Sequence, residues 1–215
     1  MCLSLPESTD RRAAFDQDNR YGFAVFPGLR HRMGWVGCAM SYKLIIKRAM
    51  DLHRKQLLVC EDDVYFPPNF EERFEKILAY VEEHRDWDIF SGVIAELRAK
   101  LLDCCQQEDE TYVYLDRMVS LVFSIYNESV YETLANWDSS NTDVQTNTID
   151  RYLERKKLRI LTTCPFLVGH KEDLNSTIWG AQNTIYTDWL TESSRKLAQM
   201  VDEYRNRAEN AEENA

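Results

Sequence analysis

Two kinds of apolar run organise the chain. Short, nearly unbroken ones occur at Leu57, Leu58, Val59 and Cys60, at Ile89 and Phe90, and again over 158–163. Bounded by polar turns, such runs predict strands buried on both faces. Longer stretches carry apolar residues at helical spacing: Val36, Met40, Leu44, Ile45 and Met50 within 36–53, and Phe70, Phe74, Ile77, Leu78 and Val81 within 70–81. Pro67 and Pro68 stop the strand before the second of these, and Asn69 can cap it, with Glu71 and Glu72 in its first turn. Further strands are expected at 1–5, 87–93, 112–115 and 118–126, with helices after Pro6, over 127–137, near 148–153 and over 188–207.

Residues 21–37 hold four of the seven glycines and Pro27, which is loop composition. Residues 95–110 fit neither period and are expected to form a surface excursion. Strands alternating with helices predict an α/β fold with a mostly parallel central sheet flanked by helices. One domain over 1–188 is expected, followed by a C-terminal helix over 189–215 whose acidic end frays from 209. Leu190, Leu197, Val201 and Tyr204 lie near a seven-residue rhythm in that helix, which offers a face for pairing two copies of the chain.

Composition narrows the function classes. With 215 residues, 44% of them apolar, the chain can bury one substantial core. No stretch approaches the roughly 20 apolar residues that span a bilayer, and the first residues lack the features of a signal peptide. A soluble, cytoplasmic protein is expected. A formal charge of −10 argues against nucleic acid as a partner, while a small anion neutralised locally remains open. The six cysteines show no metal-ligand spacing and are expected as reduced, mostly buried thiols.

The 57–60 run ends in Glu61-Asp62-Asp63. Three adjacent acids repel one another unless water or a cation compensates them, so they are either a solvated turn or a cation site. For the second, Mg²⁺ or Mn²⁺ held by one or two carboxylates and completed by substrate phosphates is the usual arrangement. Arg11 and Arg12 are likewise either a solvated helix face or phosphate contacts above the strands.

Several patterns occur together in one order: Leu3-Ser4-Leu5 with Arg11-Arg12; Gly37-Cys38-Ala39-Met40-Ser41-Tyr42; the apolar strand ending in Glu61-Asp62-Asp63; Trp87-Asp88-Ile89; and Pro165 followed by Ser176-Thr177-Ile178. In that order the chain resembles glycosyltransferase family 25, the lipopolysaccharide and collagen-type galactosyl- and glucosyltransferases, over most of 2–178. The resemblance implies a single Rossmann-like GT-A domain. It implies transfer of galactose or glucose from a UDP-sugar to a hydroxyl of a glycan or glycoconjugate acceptor, with inversion, in lipopolysaccharide biosynthesis.

It further implies Mn²⁺ or Mg²⁺ held by Asp63, with Asp62 and His170 as further ligands, and donor contacts from Leu5, Arg11, Arg12, Ser41, Glu61, Asp62 and Lys171. The base that deprotonates the acceptor would be Asp150 or Asp143. Tyr42 stands where the family has His, so no role of that imidazole carries over, and the segment 15–34 is short for the family. Two other classes fit parts of the pattern: a metal-dependent nucleotidyltransferase, disfavoured by the lack of a Gly-rich phosphate loop, and a binding or assembly module of the same fold without catalysis.

Overall fold

The structure, a computed structural model, describes residues 1–178, 180 and 182–213. In chain order the elements are β1 (Cys2–Ser4), α1 (Thr9–Asp18), β2 (Val25–Pro27), α2 (Gly34–Asp51), β3 (Gln56–Glu61), β4 (Val64–Tyr65), α3 (Phe70–Glu83), β5 (Ile89–Ser91), β6 (Leu101–Gln107), β7 (Glu110–Leu115) and β8 (Phe123–Asn127). After a 3₁₀ turn come α4 (Tyr131–Ala135), α5 (Val144–Asn147), α6 (Ile149–Glu154), β9 (Ile160–Cys164), β10 (Gly169–His170) and α7 (Thr184–Glu213).

Eight strands form one sheet in the order β2-β1-β3-β8-β5-β9-β7-β6. β1 pairs parallel with β2 and β3, and β5 with β9, whereas β8 and β7 run against both their neighbours. Six of the eight strands therefore share one direction, and the mostly parallel α/β sheet expected from the sequence is present. Side chains alternate across it as a pleated strand requires. Val59, Ile89, Val113 and Ile160 enter one core with residues of α2, α4, α6 and α7, and Cys60, Phe90, Tyr112 and Leu161 enter another with Phe15 of α1 and Phe70, Ile77 and Tyr80 of α3. Helices thus cover both faces.

α1 links β1 to β2 on one face and α2 carries the chain back to β3 on the other. That reversal around β1 is a topological switch point, where open α/β sheets leave a crevice at the carboxyl ends of their strands.

Four expectations need correcting. The loop composition at 21–37 hides β2, paired to β1 through Val25 and Phe26. The 95–110 excursion contains β6, a half-exposed edge strand paired with β7 and irregular between Leu101 and Asp103. Its polar residues face solvent, so neither hydrophobic period shows. Of 118–126 only the last part is a strand, because β8 begins at Phe123. The C-terminal helix starts at Thr184 and continues to Glu213, past the expected fraying point at 209, while Asn214 and Ala215 lie outside the described residues.

The apolar stripe of α7 is spent within the chain. Leu197 and Val201 are buried in the first core, Leu190 packs on the second, and Tyr204 donates to Asp103 at 2.9 Å. All six cysteines are free, and among the described residues no helix is long and apolar enough to cross a membrane.

Candidate functional site

At the switch point β3 delivers its acids into the crevice. Asp62 is buried, and both its oxygens are engaged: Ser4 Oγ donates to Oδ2 at 2.6 Å, and Arg11 Nε donates to Oδ1 at 2.8 Å. The Nη2 of Arg11 also contacts Asp62 and reaches Asp63 Oδ2 at 2.8 Å, while its Nη1 donates to the Asn175 carbonyl at 2.7 Å. One guanidinium thus faces two carboxylates. Its planar fork suits that task better than an ammonium.

Asp63 is held from the far end of the chain. After β9, Arg73 of α3 donates to the Pro165 and Phe166 carbonyls at 2.8 and 2.9 Å while pairing with buried Glu110, which fixes the loop leading to β10. β10 pairs antiparallel with β4, setting His170 opposite Val64, and Lys171 N–H donates to the Asp63 carbonyl at 2.7 Å. His170 Nε2 and Asn183 Nδ2 then donate to Asp63 Oδ2 at 3.0 and 3.1 Å. Burial opposes ionisation of Asp63, but the His170 hydrogen bond and the Arg11 charge outweigh it and hold the carboxyl well below its usual range. Glu61 has the opposite balance: burial, then the neighbouring Asp63 charge, push its pKa well up.

Two cavities meet at these acids. The first, about 280 Å³, is lined by Ser4 and Leu5 at the end of β1, by Gly28, by Arg11, and by Glu61 and Asp62. Arg30, His31 and Arg32 also line it, so two guanidiniums, that of Arg30 paired with Glu7, stand on its rim; the sequence marks this stretch only as a loop and singles out none of the three. The second, about 460 Å³, is lined by Glu61, Asp63, His170 and Asp150 together with Trp35, Tyr186 and Trp189. Cys38, Glu61 and Ile178 border both.

The Gly37–Ser41 pattern has a mechanical meaning. A Cβ at Gly37 would lie 2.4 Å from the Leu29 carbonyl oxygen, so only glycine lets the 28–32 loop close on α2. Ser41 Oγ completes the clamp, accepting from Leu29 N–H and donating to the Gly37 carbonyl, both at 2.7 Å. Ser41 therefore borders the first cavity as the holder of its wall. Tyr42, in place of the expected His, is fully buried and donates to the Leu121 carbonyl at 3.2 Å.

The remaining sequence candidates divide sharply. Asp150 lines the second cavity, its Oδ1 accepting from Thr148 Oγ1 at 2.6 Å and Arg151 N–H at 2.9 Å. Asp143 does not reach it. It is an exposed helix cap that accepts from Gln145 N–H and Thr146 Oγ1, which is what an aspartate before a short helix most often does. Arg12 points outward to pair with Asp16 one turn on, and Lys171 is tied to the Ala14 carbonyl and Asp18. Neither lines either cavity.

The acids bear on the expected divalent cation in different ways. Both oxygens of Asp62 already accept hydrogen bonds. Asp63 Oδ1 is buried without a hydrogen-bond partner among the described residues, and Glu61 borders both cavities with a carboxyl that burial and Asp63 disfavour as an anion. Those two carboxylates fit a hard cation whose other ligands are phosphate and water. Among the described residues no three His, Cys, Asp or Glu side chains converge into a complete shell.

The model of the family described as glycosyltransferase family 25 (LPS biosynthesis protein) matches residues 32–159, a stretch that includes the α2 clamp, the acids and Asp150 but not Arg11 or His170. A protein of Anopheles gambiae described as a glycosyltransferase 25 family member is 35% identical over 82 residues, which cover 38% of this chain and 12% of that protein. One of the same description from Aedes aegypti is 32% identical over 117 residues, covering 51% of this chain and 18% of the relative. The chain thus spans less than a fifth of the length of these relatives. Among solved structures, A197 from STIV aligns over 75% of this chain and 81% of that one at 12% identity and a TM-score of 0.43, too weak a likeness to carry an argument.

Proposed function

The chain belongs to glycosyltransferase family 25, and on that premise we propose that it transfers a hexose, galactose or glucose, from a UDP-sugar to a hydroxyl of a glycan or glycoconjugate acceptor with inversion. The family's description as an LPS biosynthesis protein supports placing that transfer in lipopolysaccharide or surface polysaccharide assembly. The observation that carries the reading is the position of Glu61, Asp62 and Asp63 between a cationic cavity and a second cavity that holds another carboxylate.

In this reading the first cavity takes the nucleoside diphosphate. Arg30 and Arg32 supply positive charge for its phosphates, and the clamp of Gly37 and Ser41 holds the loop that bears them. Asp62 keeps Arg11 oriented, with both its oxygens already accepting hydrogen bonds. Asp63 and Glu61 would hold Mn²⁺ or Mg²⁺, with His170 orienting Asp63 through Oδ2 and leaving Oδ1 free. When bound, that cation supplies Lewis-acid charge to the departing diphosphate.

Asp150 in the second cavity accepts the proton of the acceptor hydroxyl as its oxygen attacks the anomeric carbon. The new C–O bond forms on the face opposite the breaking bond to phosphate, and UDP leaves. Thr148 and the Arg151 N–H fix Asp150 through Oδ1, and among the described residues Oδ2 takes no hydrogen bond.

The test is calorimetric titration with UDP, with and without Mn²⁺, of the wild type and of Asp63→Asn, joined to product analysis with UDP-sugars. UDP binding strengthened by Mn²⁺ and lost in the variant, with UDP as the released product, is expected. Release of pyrophosphate, or no UDP binding in any condition, would overturn the reading.

A further inference from the structure

Positive charge and exposed apolar surface are spread unevenly over this chain, and the two coincide. Residues 29–55 hold seven of the 26 Lys and Arg but one of the 36 acids, Asp51, in a chain of net charge −10. The same stretch carries four of the seven large apolar side chains that stand exposed among the described residues: Leu29, Met40, Leu44 and Leu52.

The helix α2 accounts for most of that overlap. Its inner face, with Ala39, Tyr42, Ile45, Ile46 and Ala49, is buried in the first core, so the fold itself makes no use of the outer one. There Met40, Leu44, Lys47, Arg48 and Asp51 are exposed and recur at three- and four-residue spacing, and the turn after the helix adds Leu52 and Arg54. Met40, Leu44 and Leu52 are 38%, 46% and 55% exposed. One leucine in water is ordinary on any helix, but three apolar side chains in line among cations form a patch.

The cations of the patch are uncommitted. The side chains of Lys47, Arg48 and Arg54 make no ion pair with any described residue. Lys43, held on the Trp137 carbonyl at 2.7 Å, adds charge at one margin, while Lys55 is neutralised by Glu128 at 2.7 Å and Asp51 stands on the face itself. Cations on long stems around protruding apolar groups suit a partner whose negative charge is diffuse and overlies an apolar layer. Nucleic acid would use the cations and leave Met40, Leu44 and Leu52 without a place.

We propose that the outer face of α2 and the turn after it dock on the surface of an anionic lipid bilayer, with Lys47, Arg48 and Arg54 among the headgroups and Met40, Leu44 and Leu52 at the acyl boundary. The helix lies on the bilayer and keeps its inner face in the core. The loop of Arg30 and Arg32 is clamped to the N-terminal end of the same helix, so docking brings the first cavity within one helix length, about 27 Å, of lipid. This goes beyond hexosyl transfer and does not depend on it.

The experiment floats the full chain with vesicles of phosphatidylcholine alone and of phosphatidylcholine with about one-third phosphatidylglycerol. The protein should bind the second only, and less when salt rises from about 0.15 M to about 1 M, which shortens the screening length from about 8 to about 3 Å. Lys47→Ala, Arg48→Ala and Arg54→Ala should each weaken binding about fivefold, and the three together about 100-fold. Leu44→Ser with Leu52→Ser should weaken it about tenfold and leave its salt dependence unchanged. None of these residues lines either cavity, so every variant should melt and bind UDP as the wild type does.

No binding to the anionic vesicles overturns the proposal, as does undiminished binding of the triple variant, which would place the contact elsewhere. A DNA duplex held as tightly as the vesicles, with the leucine pair without effect, would make the face a general polyanion site and overturn the lipid assignment. Vesicle binding by a protein that binds no UDP would sink the hexosyl-transfer reading and leave the docking surface standing.

Discussion

Replacing Arg11 by methionine should remove the cation on which the buried acids depend. Arg11 is 9% exposed, and its partners Asp62 and Asp63 are 3% and 4% exposed, so both carboxylates rely on the guanidinium more than on solvent. Asp62 would keep only Ser4 Oγ, and Asp63 would keep His170 and Asn183. Breaking a buried pair by removing one partner costs about 3–5 kcal/mol because it strands a charge. For a chain of this size that lowers the melting temperature by roughly 6–20 °C.

Urea and thermal unfolding followed by circular dichroism measure the loss. Asp62→Asn placed on the Arg11→Met background should restore part of it, with a coupling of about 2 kcal/mol or more across the cycle. Arg11→Lys should fall in between, keeping the charge and losing the fork. A loss under about 1 kcal/mol, the size of an exposed pair, together with no coupling would refute the reasoning.

Glu61→Gln should stabilise the metal-free protein near neutral pH. The folded pKa is raised, so the wild type loses stability as pH rises from the unfolded value of about 4.3 through the folded one, and the variant lacks that slope. Melting temperatures of the two, measured with chelator, should converge at low pH and separate above it; parallel curves would rule the idea out. Gly37→Ala gives a sign test. In an unobstructed helix alanine stabilises by up to about 1 kcal/mol, but here the Cβ must displace the Leu29 carbonyl, so both stability and UDP affinity should fall. Asp150→Asn should lower kcat by about 10²–10⁴-fold, as expected for loss of a general base, whereas Asp143→Asn and Arg12→Ala should leave turnover near wild type. Equal losses at Asp143 and Asp150 would show that neither is the base.

What could be read from sequence follows from what is local. The β3 run and its acids, and α2 and α3 with their apolar stripes, were legible because burial imposes a period on neighbouring residues. β6 was not, because an edge strand with one wet face owes its existence to a partner far along the chain. Arg11 and Arg12 are adjacent and chemically equal, yet about 100° apart on a helix, so one turns to the acids and the other to solvent. No residue pattern marks which. The same holds for Asp143 and Asp150, and for Lys171, whose partners Ala14 and Asp18 come from the first helix. Arg30, His31 and Arg32 were hidden by their loop, and only the Gly37 and Ser41 spacing hinted that the loop is held.

Glu61 lines both cavities, as do Cys38 and Ile178. Two ligands that share one carboxylate cannot bind independently. Whatever factor the first occupant adds to the affinity of the second, the second must return to the first. In the proposed reading each ligand should therefore change the affinity measured for the other by one and the same factor, whichever is added first. UDP left behind after transfer should in turn govern how fast the lengthened glycan departs.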